Sequence, residues 1–518
     1  MKTVNKRKMK IKILSIVALS VMLVMGSCKK DFLDINEDPN RPTASSITPD
    51  LSTAAQLNNS AGRNASSYDF LQRYMGHWSA SGSYSRATVE MSYNITNDFG
   101  GGIFTNIYYT VSQYRIIGAK SEILKWKFYQ GISKIMEAHE IAILVDLYGD
   151  VPYSTAFDLI GNIRPTYDKG EDIYKKLLPL IDEGLALIKG STGNDANIAT
   201  QDIMFQGNKT NWAKFANSLK LRLLMHTVKA STFNIPAEIA KITAEGSGFL
   251  GNGVSGSVQP VYTVDKPNPY YNAHLFLLNG NEADNYNRAN NFSLNLMNSL
   301  FDSNRVVRVY RGAKTGGRFK GTDYGADPVT TNGSDLTSGP GFGPAPLPTS
   351  PMWLMTGVES MFLVAEATAR GLLPGDGKTA YENAVKESFV FLNARKVIRN
   401  VKNTADSLVF TPTEAATMYL ANTDPKVAFP AAGSVTDKLE PVIWQKYFAL
   451  NGIQANETFS DWRRTGIVQP PLSIAPERGT NQVPRRLLYP TTEYNYNAEN
   501  VKGVGTITPY TPKVFWDK

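Results

Sequence analysis

The sequence predicts an all-α fold in which paired helices support a long, irregular, loop-rich region. Three observations carry this. Apolar residues recur every three to four positions through long windows, and short glycine-containing turns join the windows. Two stretches, about 246–352 and 466–518, are instead rich in Gly, Asn, Ser, Pro and Tyr, with little sustained period. Helices paired in this way suggest stacked hairpins of tetratricopeptide type, with repeats too divergent to show a clean period.

The chain begins with a leader. Residues 1–12 carry Lys2, Lys6, Arg7, Lys8, Lys10 and Lys12 and no acid, and residues 13–25 are apolar apart from Ser15 and Ser20. About 20 apolar residues are needed to span a bilayer, so this is a secretory signal peptide over 1–27 rather than a transmembrane helix. Gly26 and Ser27 precede Cys28, the only cysteine of the chain. Small residues before a cysteine at this junction form a bacterial lipobox, in which the thiol is acylated and becomes the new N-terminus. A lone cysteine has no internal disulfide partner, and two acyl chains hold a protein stably on a membrane. Residues 28–45 then read as a lipid-anchored tether, and 46–518 as one domain.

In the first helical block, about 46–245, the window 103–147 reads as one or two helices. Ile132, Ile135, Met136, His139 and Ile143 share one face, and Gly149 ends it. A second helix over 167–188 aligns Ile173, Leu177, Leu180, Ile181, Leu185 and Ile188. A third, with Thr210 as its expected cap, aligns Trp212, Phe215, Leu219, Leu223 and His226.

The second block, about 353–465, starts at Thr356, with Glu359 at capping-box spacing and Val358, Phe362, Ala365 and Ala369 following before Gly371. Further helices are expected over 379–395, from Thr411 with Pro412 at the first helical position and Glu414 behind it, and over 438–451.

Composition excludes several function classes. The net charge is +8, but six of those charges lie in residues 1–12, which leaves about two for the remainder and no basic, aromatic-interleaved patch for nucleic acid. "GLLPGDGKT" at 371–379 places five residues between Gly371 and Gly377 where a phosphate loop needs four, and it joins two helices. "HEIAI" at 139 lacks the second histidine of a zinc protease, "GVSGS" at 253–257 misses a nucleophile elbow, and four histidines suggest no metal cluster. The carboxylate pairs Glu457/Asp461 and Asp146/Asp150 have the chemistry of a glycosidase but read as caps or as solvated partners for arginine, since Arg463 and Arg464 lie next to Asp461. No catalytic residue, cofactor or metal is expected.

Six segments in order, "CKKDFLDINEDPN", "DLYGDVPYS", "WAKFANSLKLRLLM", "ESMFLVAEATARG", "WQKYFALNGIQANETFSDWRRTG" and "RRLLYPTTEYNYNAENV", spread over nearly the whole chain after the leader. With them the chain resembles the SusD/RagB family of outer-membrane nutrient-binding lipoproteins of Bacteroidetes, in its SusD-like subgroup. The resemblance implies four tetratricopeptide-like helix pairs under an irregular ligand-binding region. It also implies a SusC-like TonB-dependent transporter barrel over which the protein closes as a lid. "KKDFLD" broadly fits a surface-export signal, diluted by Lys29 and Lys30, which implies an outer-membrane, cell-surface location. The nutrient would be an oligosaccharide, or an oligopeptide as in RagB-like members; a surface hydrolase is the disfavoured alternative.

A non-catalytic sugar site needs exposed rings for the C–H face and Asn, Asp, Gln or Arg for the hydroxyls. Two loops qualify. "YMGHWSASGSYSR" offers His77, Trp78, Tyr84 and Arg86, and "YTVDKPNPYYN" offers Tyr262, Asp265, Asn268, Tyr270, Tyr271 and Asn272. In the family the binding arc comes from such an early loop and such a mid-chain excursion, a regional match. A stacking platform of Trp78 with Tyr270 and Tyr271 is the specific expectation.

Overall fold

Helices form where the apolar spacing places them, with boundaries set by caps. The computed structural model describes residues 48–158, 161–398 and 408–518. The leader, Cys28 and the tether expected over 28–45 lie outside the described residues. Helix α1 (Pro49–Ser66) comes first. The window 103–147 then divides into α2 (Gly101–Leu124) and α3 (Lys127–Tyr148), because Lys125 turns left-handed (φ 59) and reverses the chain within two residues. Next come α4 (Gly170–Lys189) and α5 (Lys209–His226). After the mid-chain excursion follow α6 (Gly357–Ala369), α7 (Gly377–Phe391), α8 (Pro412–Tyr419), α9 (Val435–Ala449), α10 (Ala455–Thr465) and α11 (Thr491–Tyr496).

Sequential helices pack as α2 on α3, α3 on α4 and α4 on α5 in the first block and as α6 on α7 and α7 on α8 in the second, where α9 returns to pack on α6, an all-α scaffold of paired helices. Helix α3 packs on α4 closely enough that a Cβ on Gly131 would lie 2.4 Å from the carbonyl oxygen of Gly184. Only glycine permits that approach.

Several boundaries differ from expectation for a physical reason. Asn208, not Thr210, caps α5, its carboxamide accepting from the Asn211 N–H at 3.0 Å. Asp376 accepts from the Thr379 N–H and starts α7 at Gly377, two residues early. Thr356 caps α6, but the Glu359 carboxylate turns to Arg222. The capping box at Thr411 and Glu414 forms, and another at Ser434 and Asp437 starts α9 before residue 438. Helix α10 was not anticipated: its buried face consists largely of Asn456, Glu457, Ser460, Asp461, Arg463 and Arg464, which carries no apolar period.

The stretches expected to be irregular hold short elements. Among the described residues eight strands occur as antiparallel pairs: β1 (Trp78–Ala80) with β5 (Asn287–Ala289), β2 (Val151–Pro152) with β3 (Tyr167–Asp168), β4 (Gly256–Val258) with β6 (Met352–Met355), and β7 (Lys396–Ile398) with β8 (Leu408–Phe410). In the first pair Trp78 faces Ala289. Short helices Asn291–Ser299 and Ser303–Val309 lie between β5 and β6. These pairings fix the excursion onto the helices. Among the described residues no helix is long and apolar enough to cross a membrane.

Buried ions join the two helical blocks. Arg222 on α5 holds Glu359 on α6 through two hydrogen bonds of 2.7 and 2.8 Å. Arg464 on α10 bonds Glu366 at 2.6 Å and Asp461 at 2.6 Å, and Lys446 on α9 reaches Asp461 at 2.9 Å. His226 sits between Asp146 (3.4 Å) and Glu457 (3.3 Å). Of the carboxylates considered for glycosidase chemistry, Asp146, Glu457 and Asp461 are thus held in the interior by cations, while Asp150 is half-buried and pairs with the exposed Lys169 at 2.8 Å.

Burial opposes the charge on His226, but Asp146 and Glu457 outweigh it and raise its pKa to about 9. Because the folded value lies above the unfolded 6.5, this stabilisation is complete below about pH 6.5 and is lost as pH rises through 9. Urea unfolding should show wild type losing roughly 2–3 kcal/mol between those limits. His226→Gln should be weaker at neutral pH and flat over the same window. An equally steep profile in the variant would assign the loss to another group.

Candidate functional site

Of the expected ligand residues, the fold places five, His77, Trp78, Tyr262, Asn268 and Tyr270, in its interior. Trp78 is 1 % exposed, its ring 4.9 Å from His274, and Tyr270 is 0 % exposed, its hydroxyl donating to the Gly341 carbonyl. Asn268 is buried and donates to the carbonyls of Ser350 and Pro351 at 3.0 Å. Tyr262 is buried and donates to Asn58 at 2.8 Å. The platform of Trp78, Tyr270 and Tyr271 therefore does not form: the first two rings fill the core, and half-buried Tyr271 begins a π-helical turn against Phe276. Asp265 and Asn272 are exposed. His77 stacks on Tyr447 at 4.0 Å, and burial lowers its pKa to about 3, so it is neutral.

Tyr84 and Arg86 remain at the surface. Their loop, 81–87, is pinned by backbone and side-chain bonds: Ser81 N–H to the Tyr286 carbonyl (2.8 Å), Gly82 N–H to the Asn332 carbonyl (2.8 Å), and Ser334 N–H to the Ser83 hydroxyl (3.0 Å). A Cβ on Gly82 would lie 2.6 Å from the Val329 carbonyl oxygen, so the loop and the excursion touch backbone to backbone. Tyr84, 44 % exposed, packs edge-on against Tyr286 at 5.5 Å. The guanidinium of Arg73 sits 5.4 Å from the Tyr286 ring and is itself fixed by two bonds to Glu90. Such support holds a ring ready for contact without ordering cost on binding.

Arg86 pairs with Asp327 of the excursion and with Glu477 of the C-terminal tail at 2.6 Å. Its hydrogen bond to Glu477 raises the Arg86 pKa and lowers that of the acid. Glu477 in turn lines an open cleft of about 550 Å³. Its walls add the hydroxyl and amide groups of Thr88, Ser92, Asn94, Thr96 and Thr480, the apolar Val89 and Pro509, and the ring of Tyr510, whose hydroxyl donates to the Tyr93 carbonyl at 2.8 Å. A ring with many donors and acceptors around it fits a polyhydroxy ligand. Among the described residues no cluster of His, Cys, Asp and Glu fits a metal ion.

The sequence matches, over residues 39–490, a SusD-like family described as starch-binding and associating with the outer membrane. The chain belongs to the SusD-like family. SusD-like proteins bind nutrients at the outer membrane and are binding proteins rather than enzymes. Solved structures share the fold. An outer-membrane protein of Bacteroides vulgatus ATCC 8482, described in terms of nutrient binding, superposes with a TM-score of 0.70 at 23% identity, over 91% of this chain and 100% of that one. A SusD homologue of Bacteroides fragilis NCTC 9343 gives 0.71 at 22% identity, over 91% and 99%. A chitin-binding SusD homologue of Flavobacterium johnsoniae gives 0.68 at 22% identity, over 91% and 98%. No functionally curated protein matches the sequence.

Within this SusD-like scaffold the early loop, the excursion and the tail converge at Arg86. Of the residues at this surface, the sequence singled out Tyr84 and Arg86 but not Tyr286, Glu477 or Tyr510. Single side chains far apart in the chain leave no local signal of meeting; the nearest hint was the tyrosine-rich texture of both irregular stretches.

Proposed function

We propose that the protein is a non-catalytic oligosaccharide-binding lipoprotein of the cell surface, anchored through acyl chains on Cys28. It acts as the lid of a SusC-like TonB-dependent barrel in the outer membrane. The observation that carries the ligand class is the surface at Tyr84 and Arg86. A supported tyrosine ring lies two residues from Arg86, whose partner Glu477 lines a cleft rich in hydroxyls and amides, and the two carboxylates on Arg86 leave no net positive charge there, so the surface favours a neutral polyol over an acidic one. The apolar run and the small residues before Cys28 support the anchor. An oligopeptide is the other nutrient class to be tested.

Calorimetric titration with neutral glucan, xylan, mannan and chitin oligosaccharides, and with a peptide mixture, tests this. A glycan should bind, and Tyr84→Ala should weaken it about 5- to 150-fold, the range of a contacting aromatic, with an unchanged melting temperature. Binding by peptides alone would replace the oligosaccharide reading.

A further inference from the structure

A second cleft, of about 560 Å³, lies between α2, the β2–β3 connection and the start of α11. It shares no lining residue with the cleft beside Arg86. Thr105, Tyr108, Tyr109 and Ser112 recur on one face of α2 and form one wall. Phe157 faces them, its ring 5.6 Å from that of Tyr108 and tilted by 34°.

Two exposed apolar side chains and one strained residue mark this cleft. Tyr109 is 57 % exposed and Ile163, on the opposite rim, 78 % exposed. Phe157 has φ 71, a left-handed conformation that a bulky side chain adopts only when its surroundings force it. The guanidinium of Arg115, fixed by Glu137 at 2.7 Å, lies 4.2 Å from the Phe157 ring and holds that ring at the cleft wall. Strain so maintained at the wall of an open cleft points to a site.

The rim defines the chemistry. Glu493 takes the Tyr167 hydroxyl at 2.7 Å and the Asn497 amide at 3.4 Å on Oε2, which leaves Oε1 as an acceptor. Asn162 adds an amide. The cation nearest the rings, Arg115, is engaged with Glu137 and with the faces of Phe157 and Tyr153. Rings with a carboxylate acceptor at the edge fit the C–H face and hydroxyls of a neutral or amino-bearing pyranose and repel an acidic one.

We propose that this cleft is a second saccharide site, in which one pyranose ring stacks on Tyr109 and gives a hydroxyl to Glu493. This rests on the oligosaccharide reading of the Tyr84 surface and extends it: two sites on one body let a single long glycan be held at both, so that the second contact forms at high effective concentration.

The test uses the same neutral hexasaccharide probes, with hexagalacturonate as the acidic counter-probe, on wild type, Tyr84→Ala, Tyr109→Ala and Glu493→Gln. Stoichiometry and affinity are read by calorimetry and folding by melting curves. Wild type should bind two hexasaccharides. Tyr109→Ala should lose one of them by about 5- to 150-fold while keeping the other and its melting temperature. Glu493→Gln should weaken that same event, and hexagalacturonate should not bind there. One site per chain, abolished by Tyr84→Ala and untouched by Tyr109→Ala, would overturn the second site and leave the oligosaccharide reading standing. No glycan binding by wild type would overturn both.

Discussion

Replacing Arg464 by alanine should cost about 3–5 kcal/mol of stability, the usual result of removing one partner from a buried ion pair. Arg464 is buried on α10 and holds Glu366 of α6 and Asp461 of its own helix. Burial favours the neutral form of Glu366, yet Arg464 overcomes it and holds the pKa down at about 2. Since the folded value lies below the unfolded 4.5, the pair stabilises the protein fully above about pH 4.5 and loses its effect as pH falls through 2. Without the guanidinium, Glu366 keeps only Arg370 at 2.7 Å and Asp461 only Lys446. Urea unfolding at pH 7 measures the loss. Lys175→Ala, which removes an exposed pair one helical turn apart on α4, should barely move the midpoint. A loss under about 1 kcal/mol for Arg464→Ala would show that Arg370 and Lys446 suffice.

Trp78→Ala and Tyr270→Ala should each destabilise the protein by about 3–5 kcal/mol, as large aromatic truncations in a core do. Trp78 packs on His274, and Tyr270 lies 5.0 Å from His274 and 5.7 Å from Trp353. Losing Tyr270 also strips the Gly341 carbonyl of its donor. Folded molecules of either variant should bind ligand like wild type, whereas Tyr84→Ala should show the opposite pattern. Thermal melts run beside titrations separate the two cases. Unchanged melting with lost affinity would mean that these loops open to expose both rings.

The contrast between Trp78 and Tyr84 shows why the site was only partly legible. Both stand in one aromatic- and serine-rich loop, and composition there does not say which ring turns inward. Pairing with β5 decides it: Trp78 faces Ala289 and is enclosed, while Tyr84 lies past the end of the strand and stays in solvent. In the same way Asn268 looks like a ligand group by type, but its amide satisfies the buried carbonyls of Ser350 and Pro351.

What the sequence determined by itself was the helical scaffold, since an apolar stripe of period 3.6 can be buried only as a helix against a neighbour. The run of Ile173, Leu177, Ile181, Leu185 and Ile188 and the capping box at Thr411 are of this kind. The family followed from six segments in order along the chain. Only the tertiary structure decided where polar residues go. Helix α10 buries Glu457, Asp461, Arg463 and Arg464, which read as surface until their partners on α3, α5, α6 and α9 arrive from far along the chain. A charge is buried at low cost only when its counter-charge is in place, and the meeting of Arg86 with Asp327 and Glu477 depends on the same long-range placement.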